Sequence, residues 1–185
     1  MTIPVHSLNH AHLDLLKRHF DELADDDVRL RFGSLLNQDA RHAYVENIRG
    51  ERDAVFGVFS DDLSLLGVAH LACLDSAAEL GISVLASYRG HGIGTALFER
   101  ATMRARNLQI AELWMNCLAQ NGAILHIARK AGMRVVVQHA DADAYLELIP
   151  GNPLTIGQEL AAQQFAQFDW TLKANVNYLR RVARV

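Results

Sequence analysis

Cysteine is scarce in this 185-residue chain: Cys73 and Cys117 are the two present, and both sit inside apolar segments. Two thiols in a chain of this length cannot form the framework of a disulfide-held scaffold, so both are expected to be buried and free. Positive charge is not in excess either, with 18 Lys plus Arg against 21 Asp plus Glu for a formal net charge of −3. No basic block is dense enough to follow a phosphate backbone, which excludes nucleic acid as the principal partner. No apolar run approaches the ~20 residues of a membrane span. Met1–His12 carries His6, His10 and His12 where a secretory signal would carry an apolar core. The expectation is a soluble cytoplasmic protein with no membrane partner. Repeats and low-complexity tracts are missing too. What remains is a half-apolar chain (50%), enough for one packed core of ordinary domain size.

Proline is rare, and two of the three, Pro150 and Pro153, flank Gly151-Asn152. This cluster divides the chain into residues 1–149 and a C-terminal segment, 150–185. In the first part, helical and strand patterns alternate. Apolar residues three and four apart predict a helix over His12–Leu23, followed by the acidic turn Asp25–Asp27, and a second helix over Leu35–Ile48. Strand patterns follow at Ala54–Phe59, Leu65–Leu74, Glu79–Leu85 and Glu112–Leu118, with helices at Gly92–Asn107 and Gly122–Ala131. Arg134–His139 and Ala144–Ile149 read as a closing hairpin about the turn Asp141–Asp143. The fold class is α/β with a mixed sheet. In the second part, Ala161, Phe165, Phe168, Leu172, Val176 and Leu179 make Gly157–Val182 a long amphipathic helix, which packs on the sheet, forms a dimer surface or closes over a substrate entrance. Arg180, Arg181 and Arg184 complement its dipole.

The chemistry is concentrated where an apolar strand runs into Tyr88-Arg89-Gly90-His91-Gly92-Ile93-Gly94-Thr95 and then a helix start. Unpaired backbone N–H groups and the positive end of a helix dipole converge there, which makes an anion site suited to phosphate. Glycines let the backbone approach the anion closely. The loop lacks the Gly-Lys-Ser/Thr ending of a Walker A sequence. It also misses the dinucleotide fingerprint, because Thr95 stands where the last glycine counted from Gly90 should be.

Arg89-x-x-Gly92-x-Gly94, with Ile93 inside it, Leu97 after it and the later Asn121…Lys130-Ala131-Gly132-Met133 segment, resembles the pyrophosphate loop and following elements of the GNAT N-acetyltransferase superfamily. The resemblance covers about residues 2–149. It implies the GNAT fold, a mostly antiparallel mixed sheet flanked by helices, with acetyl-CoA as co-substrate and no metal. It also implies that Ile82 and Val84 offer main-chain groups to the pantetheine arm, that Arg89, Gly90, His91, Gly92, Ile93, Gly94 and Thr95 hold the pyrophosphate, and that Asn121 touches the cofactor. Arg29-Leu30-Arg31-Phe32, Ala78-Glu79-Leu80 and Asn121-Gly-Ala-Ile-Leu-His-Ile-Ala-Arg-Lys-Ala-Gly are similar to the catalytic domain of Pat-type protein lysine acetyltransferases. Many small-molecule GNAT enzymes carry an acidic tyrosine two residues before the position of Lys130. Here that residue is Ala128, a lack the Pat-type group shares, while Gly132-Met133 replaces the commoner Gly-Phe.

On this resemblance Glu79, in the apolar run Ala77–Ile82, is the general base, and a strand N–H near Val84 or Leu85 serves the oxyanion. Tyr145 and Cys117 are conceivable proton donors and more readily packing residues. No His/acid partner for either cysteine is suggested, so direct transfer in a ternary complex is favoured over an acetyl-cysteine route. His6, His10 and His12 lack zinc spacing and read as solvated. The acidic turns Asp25–Asp27 and Asp141–Asp143 either attract a cationic amine or simply stabilise turns. The acceptor is a primary amine, on a protein lysine or a small molecule. The alternative is a non-catalytic acyl-CoA sensor that signals through the C-terminal helix.

Overall fold

The computed structural model describes residues 2–183, so Arg184 lies outside the described residues. The strands are β1 (His6–Leu8), β2 (Ala54–Phe59), β3 (Leu65–Leu74), β4 (Ala77–Val84), β5 (Glu112–Leu118), β6 (Arg134–Gln138) and β7 (Asp141–Glu147). They form a seven-stranded sheet in the order β1-β2-β3-β4-β5-β7-β6. Every neighbouring pair is antiparallel except β4–β5. The helices are α1 (Leu13–Asp21), α2 (Asp25–Phe32), α3 (Gln38–Glu46), α4 (Ile93–Asn107), α5 (Gly122–Lys130) and α6 (Pro153–Val182).

Period-two alternation assigns the two faces of the sheet. Phe56, Ala69, Leu71, Ala78, Leu80 and Ile82 bury against Leu97, Phe98 and Ala101 of α4. Their neighbours Val55, Phe59 and Val68 pack on the other face with Leu16 and Phe20 of α1, Val28 of α2 and Val45 of α3. On β4 this leaves Glu79, Gly81 and Ser83 on the α1–α3 face, where Ala72, His70 and Val68 stand opposite them on β3.

Parallel pairing of β4 with β5 is confined to Ala77↔Glu112, Ala78↔Leu113 and Glu79↔Trp114. Beyond Glu79 the two strands part. Bonded and non-bonded pairs alternate along an antiparallel ladder. The Leu85 N–H bonds the Leu66 carbonyl at 2.9 Å, so Ser83 and Gly81 are bonded to β3 while the amides of Ile82 and Val84 face the gap.

Three expectations need correction. Asp25–Asp27 is the first turn of α2, not a separate turn, with Ala24 at the N-cap; acidic residues complement a helix N-terminus. Asp141–Asp143 belongs to β7, and the reversal sits at His139-Ala140, where His139 adopts φ +57. His6 is buried rather than solvated: its Nε2 lies 3.1 Å from Asp169 Oδ2 of α6, and Phe59 and Trp170 stand edge-on to its ring. Burial lowers the His6 pKa in spite of that carboxylate.

The last helix starts four residues earlier than the apolar pattern suggests. Pro153 sits in its first turn and Asn152 and Thr155 form a reciprocal cap. Its inner face docks through charge as well as packing. Glu159 accepts from Arg100 Nη1 at 2.8 Å and Asn107 Nδ2 at 2.6 Å, and Lys173 Nζ donates to the Phe59 carbonyl at 3.0 Å. Burial pushes the Glu159 carboxyl up, but the Asn107 and Arg100 contacts outweigh it and hold the group below its ordinary range. Cys73 and Cys117 are both free and buried, and burial raises both thiols.

Candidate active site

The parting of β4 from β5 opens a cleft of about 550 Å³. Ile82, Ser83 and Val84 line it from β4, Gly92–Thr95 from the start of α4, Asn121–Ile124 from α5, and Asp27, Leu30 and Arg31 from α2. Gly92 is the N-cap of α4 with φ +83, a conformation that L side chains rarely adopt. The first helical bond is Ala96 N–H to the Gly92 carbonyl at 3.0 Å. The N–H groups of Ile93, Gly94 and Thr95 therefore have no partner within the helix and sit at its positive end. Free amides here, together with the outward amides of Ile82 and Val84, suit a ligand that carries a pyrophosphate at one end and amide groups along its length.

A second, smaller pocket of about 210 Å³ lies beside the first on the α1–α3 face. Ala72 and His70 of β3, Glu79 and Gly81 of β4 and Asn116 of β5 line it together with Arg31, Phe32 and Gly33 at the end of α2 and Tyr44 of α3. The two spaces share Arg31 and meet at consecutive residues, Gly81 and Ile82. A Cβ at Gly81 would overlap the Arg31 guanidinium, so glycine there lets that cation lie on the strand. Glu79 is half-buried and has no hydrogen-bond or ion-pair partner among the described residues.

Of the residues singled out by sequence, Ile82, Val84, Arg89, Gly90, Gly92, Ile93, Gly94, Thr95 and Asn121 all line the larger cleft. His91 does not: its Nδ1–H donates to the Arg89 carbonyl at 2.8 Å and the residue borders a neighbouring groove between α4 and α6. Several of the others carry additional duties. Arg89 pairs with Asp27 at 2.7 Å and donates from Nε to the Val84 carbonyl at 3.1 Å, which leaves the N–H as the free group of Val84. Gly94 also leaves room for α5, because a Cβ there would come within 2.8 Å of Ile127 Cδ1 and oblige that side chain to shift. Asn121 caps α5 by accepting from the Ile124 N–H at 3.2 Å and donates to the Leu30 carbonyl at 3.3 Å.

Ala128 is fully buried, Cys117 donates to the Ala142 carbonyl at 3.5 Å, and Tyr145 sits beneath Arg134. None of the three borders either space. Sequence reasoning did not find Tyr44, Asp53 and His70. The available signals were a lone histidine in the otherwise apolar run Leu65–Leu74 and an aspartate directly before Ala54.

A family model for the acetyltransferase (GNAT) domain matches residues 7–134, and the chain belongs to this family. It is accordingly an N-acetyltransferase. No curated protein sequence matches it. Among solved structures it is similar to the GNAT domain of S. lividans PAT (TM-score 0.67, 13% identity, 80% of this chain and 95% of that one). It is also similar to a ribosomal-protein-alanine N-acetyltransferase from Brucella melitensis (0.63, 19%, 78% and 99%). A third is a spermidine N-acetyltransferase from Vibrio cholerae in complex with CoA and spermine (0.64, 15%, 79% and 95%). At these identities the likeness concerns the fold.

Proposed function

We propose that the protein transfers an acetyl group from acetyl-CoA directly to a primary amine, on a protein lysine or a small molecule, with Glu79 as general base. One observation carries the reading: the unpartnered Glu79 carboxylate lines a pocket, sized for a side chain or small amine, that adjoins the larger cleft at Arg31 and at Gly81-Ile82. Acetyl-CoA supplies the activated acyl group. Ile93, Gly94 and Thr95 hold its pyrophosphate through backbone N–H groups, with Arg89, Gly90 and Gly92 shaping the loop and Asn121 bordering it. The free amides of Ile82 and Val84 align the pantetheine arm, and of the two oxyanion donors expected from sequence the Val84 N–H is the one left free, because the Leu85 N–H is bonded to the Leu66 carbonyl. Glu79 removes a proton from the amine as it bonds to carbon. His91, which faces away from the cleft, serves only to brace the loop through its bond to the Arg89 carbonyl.

Titration of the protein with acetyl-CoA and with NAD, followed by assay of the Glu79→Gln variant, tests the reading. Micromolar binding of acetyl-CoA alone and a loss of turnover on the order of 10²-fold with cofactor binding retained are expected. Turnover unchanged in Glu79→Gln would remove Glu79 from the mechanism. Cofactor binding with no turnover on any amine would favour the acyl-CoA sensor.

A further inference from the structure

The small pocket holds a second acid–base system. We propose that Tyr44, backed by His70 and Asp53, takes the first proton from the incoming ammonium group while passing its own phenolic proton to His70. This rests on the amine acetylation proposed above and adds a second proton acceptor to it.

The chain of contacts has one direction. Tyr44 OH lies 2.6 Å from His70 Nδ1, His70 Nε2 lies 3.3 Å from Asp53 Oδ2, and Arg31 Nη2 donates to the Tyr44 oxygen at 2.8 Å. The Asp53 side chain is 4% exposed, accepts the Cys73 N–H at 3.3 Å and has Arg49 at 3.9 Å. Its carboxylate is thus an acceptor, which puts the imidazole proton on Nε2 and leaves Nδ1 with a free lone pair. Arg31 can only donate, so the phenol oxygen accepts from it and the phenol O–H donates to Nδ1. This arrangement is that of a hydroxyl activated by an oriented imidazole. Burial first, and then the Arg31 charge, hold His70 below its ordinary pKa against the pull of Asp53, so its Nδ1 lone pair is unprotonated at neutral pH.

The proton count of the reaction requires two acceptors. A lysine-type amine has a pKa of ~10.4 and arrives as ammonium. Its nitrogen loses one proton before it can attack and a second as the N–C bond forms and the C–S bond breaks. Glu79 takes the second and returns it to the departing thiolate. The first reaches the Tyr44 oxygen as the phenolic proton moves to His70 Nδ1, giving an imidazolium paired with Asp53; it returns to solvent once the product leaves. Tyr44, His70 and Glu79 line one pocket, with His70 and Glu79 diagonal neighbours on adjacent strands. Arg31 has no carboxylate partner among the described residues, which leaves its charge to stabilise a forming phenolate.

The test uses Tyr44→Phe, which keeps the ring against Phe20 and Phe32, and His70→Gln. Acetyl transfer is assayed on a blocked lysine peptide, on spermidine, and on a peptide with a free α-amine, whose pKa is ~7.7–8.0. Both variants should lose kcat by about 10²-fold on the lysine peptide or spermidine, with the KM for acetyl-CoA unchanged. On the α-amine, a sizeable fraction of which is already neutral near pH 7.5, the loss should shrink to less than about tenfold. The acid limb of the kcat profile should disappear in His70→Gln; the charged and titratable groups facing His70 are Arg31 from α2, Tyr44 from α3, Arg49 and Asp53 before β2, and Glu79 from β4. Equal losses on both amine classes, or kcat within a factor of three in both variants, would overturn the relay and leave the acetylation reading standing. Absence of wild-type turnover on every amine would overturn both.

Discussion

His19 is 1% exposed, its Nδ1–H donates to the Leu65 carbonyl at 3.1 Å, and its Nε2 accepts from Ser83 Oγ at 2.9 Å. Burial pushes its pKa down from 6.5 to about 4. Unfolded, this imidazole takes a proton near 6.5, whereas folded it takes none until about pH 4. The unfolded chain binds more protons across that window, so stability is complete above pH 6.5 and falls as pH drops toward 4, by about 3 kcal/mol for this residue. His6 and His70 shift in the same direction and add to the slope. Urea unfolding at pH 7.5 and pH 5 should show a lower midpoint at pH 5, and His19→Gln should flatten the difference. Equal midpoints in the parent protein would refute the assignment.

At this scale the glycine turn that lines the larger cleft at the start of α4 was legible because its residues are contiguous in sequence. Tyr44, Asp53 and His70 were not. Tyr44 and Asp53 lie 26 and 17 positions from His70, and only the docking of α3 on the sheet and the pairing of β2 with β3 bring them to that imidazole.

Among the elements, α6 is held to α4 by a buried ion pair in which Arg100 is 5% and Glu159 8% exposed, with Arg104 a further 3.8 Å contact. Removing one partner leaves a buried charge uncompensated, which costs about 3–5 kcal/mol. Glu159→Ala should therefore lower the urea midpoint strongly and speed tryptic cleavage within α6. A double change, Arg100→Met with Glu159→Leu, should recover most of the loss, since a shape-matched apolar pair needs no counter-charge. If Glu159→Ala unfolds at the parent midpoint, the pair contributes nothing to docking.

Strands β2, β3 and β5 have the bounds their patterns gave, because dense apolar runs ended by polar turns leave little latitude. Helix α2 escaped for a physical reason. Val28, Leu30 and Phe32 alternate with Asp27, Arg29 and Arg31, which is strand-like spacing, whereas the segment is helical with Val28 buried in the cluster around Leu16 and Phe20 of α1.

For the whole molecule, the outward face of α6 is the main exposed apolar surface. Phe168 is 68% and Leu179 64% exposed, and Leu154, Phe165, Leu172 and Val182 lie open along the same helix. Between Leu160 and Leu179 the charged residues of α6 are Asp169 and Lys173, and both turn inward to His6 and Phe59. An outer face without charge meets its own copy with no repulsion, and on this ground we propose a homodimer through α6. These side chains offer on the order of 500 Å² of apolar surface, so the flanking glutamines must join to reach the roughly 800 Å² per partner of a stable interface. Sedimentation equilibrium should give a dimer, and Phe168→Glu with Leu172→Glu a monomer of unchanged acetyl-CoA affinity. A monomeric parent protein would rule the interface out.

The three-residue seam between β4 and β5 has a consequence for how ligand and fold stability are linked. Three paired positions join strands β1–β4 to β5–β7, and the amides of Ile82 and Val84 remain without a strand partner. A ligand whose own amides fill that row acts as a surrogate strand. Such a ligand would close the seam and couple its concentration to the stability of the fold: at a hundredfold excess over the dissociation constant, occupancy alone adds about 2.7 kcal/mol.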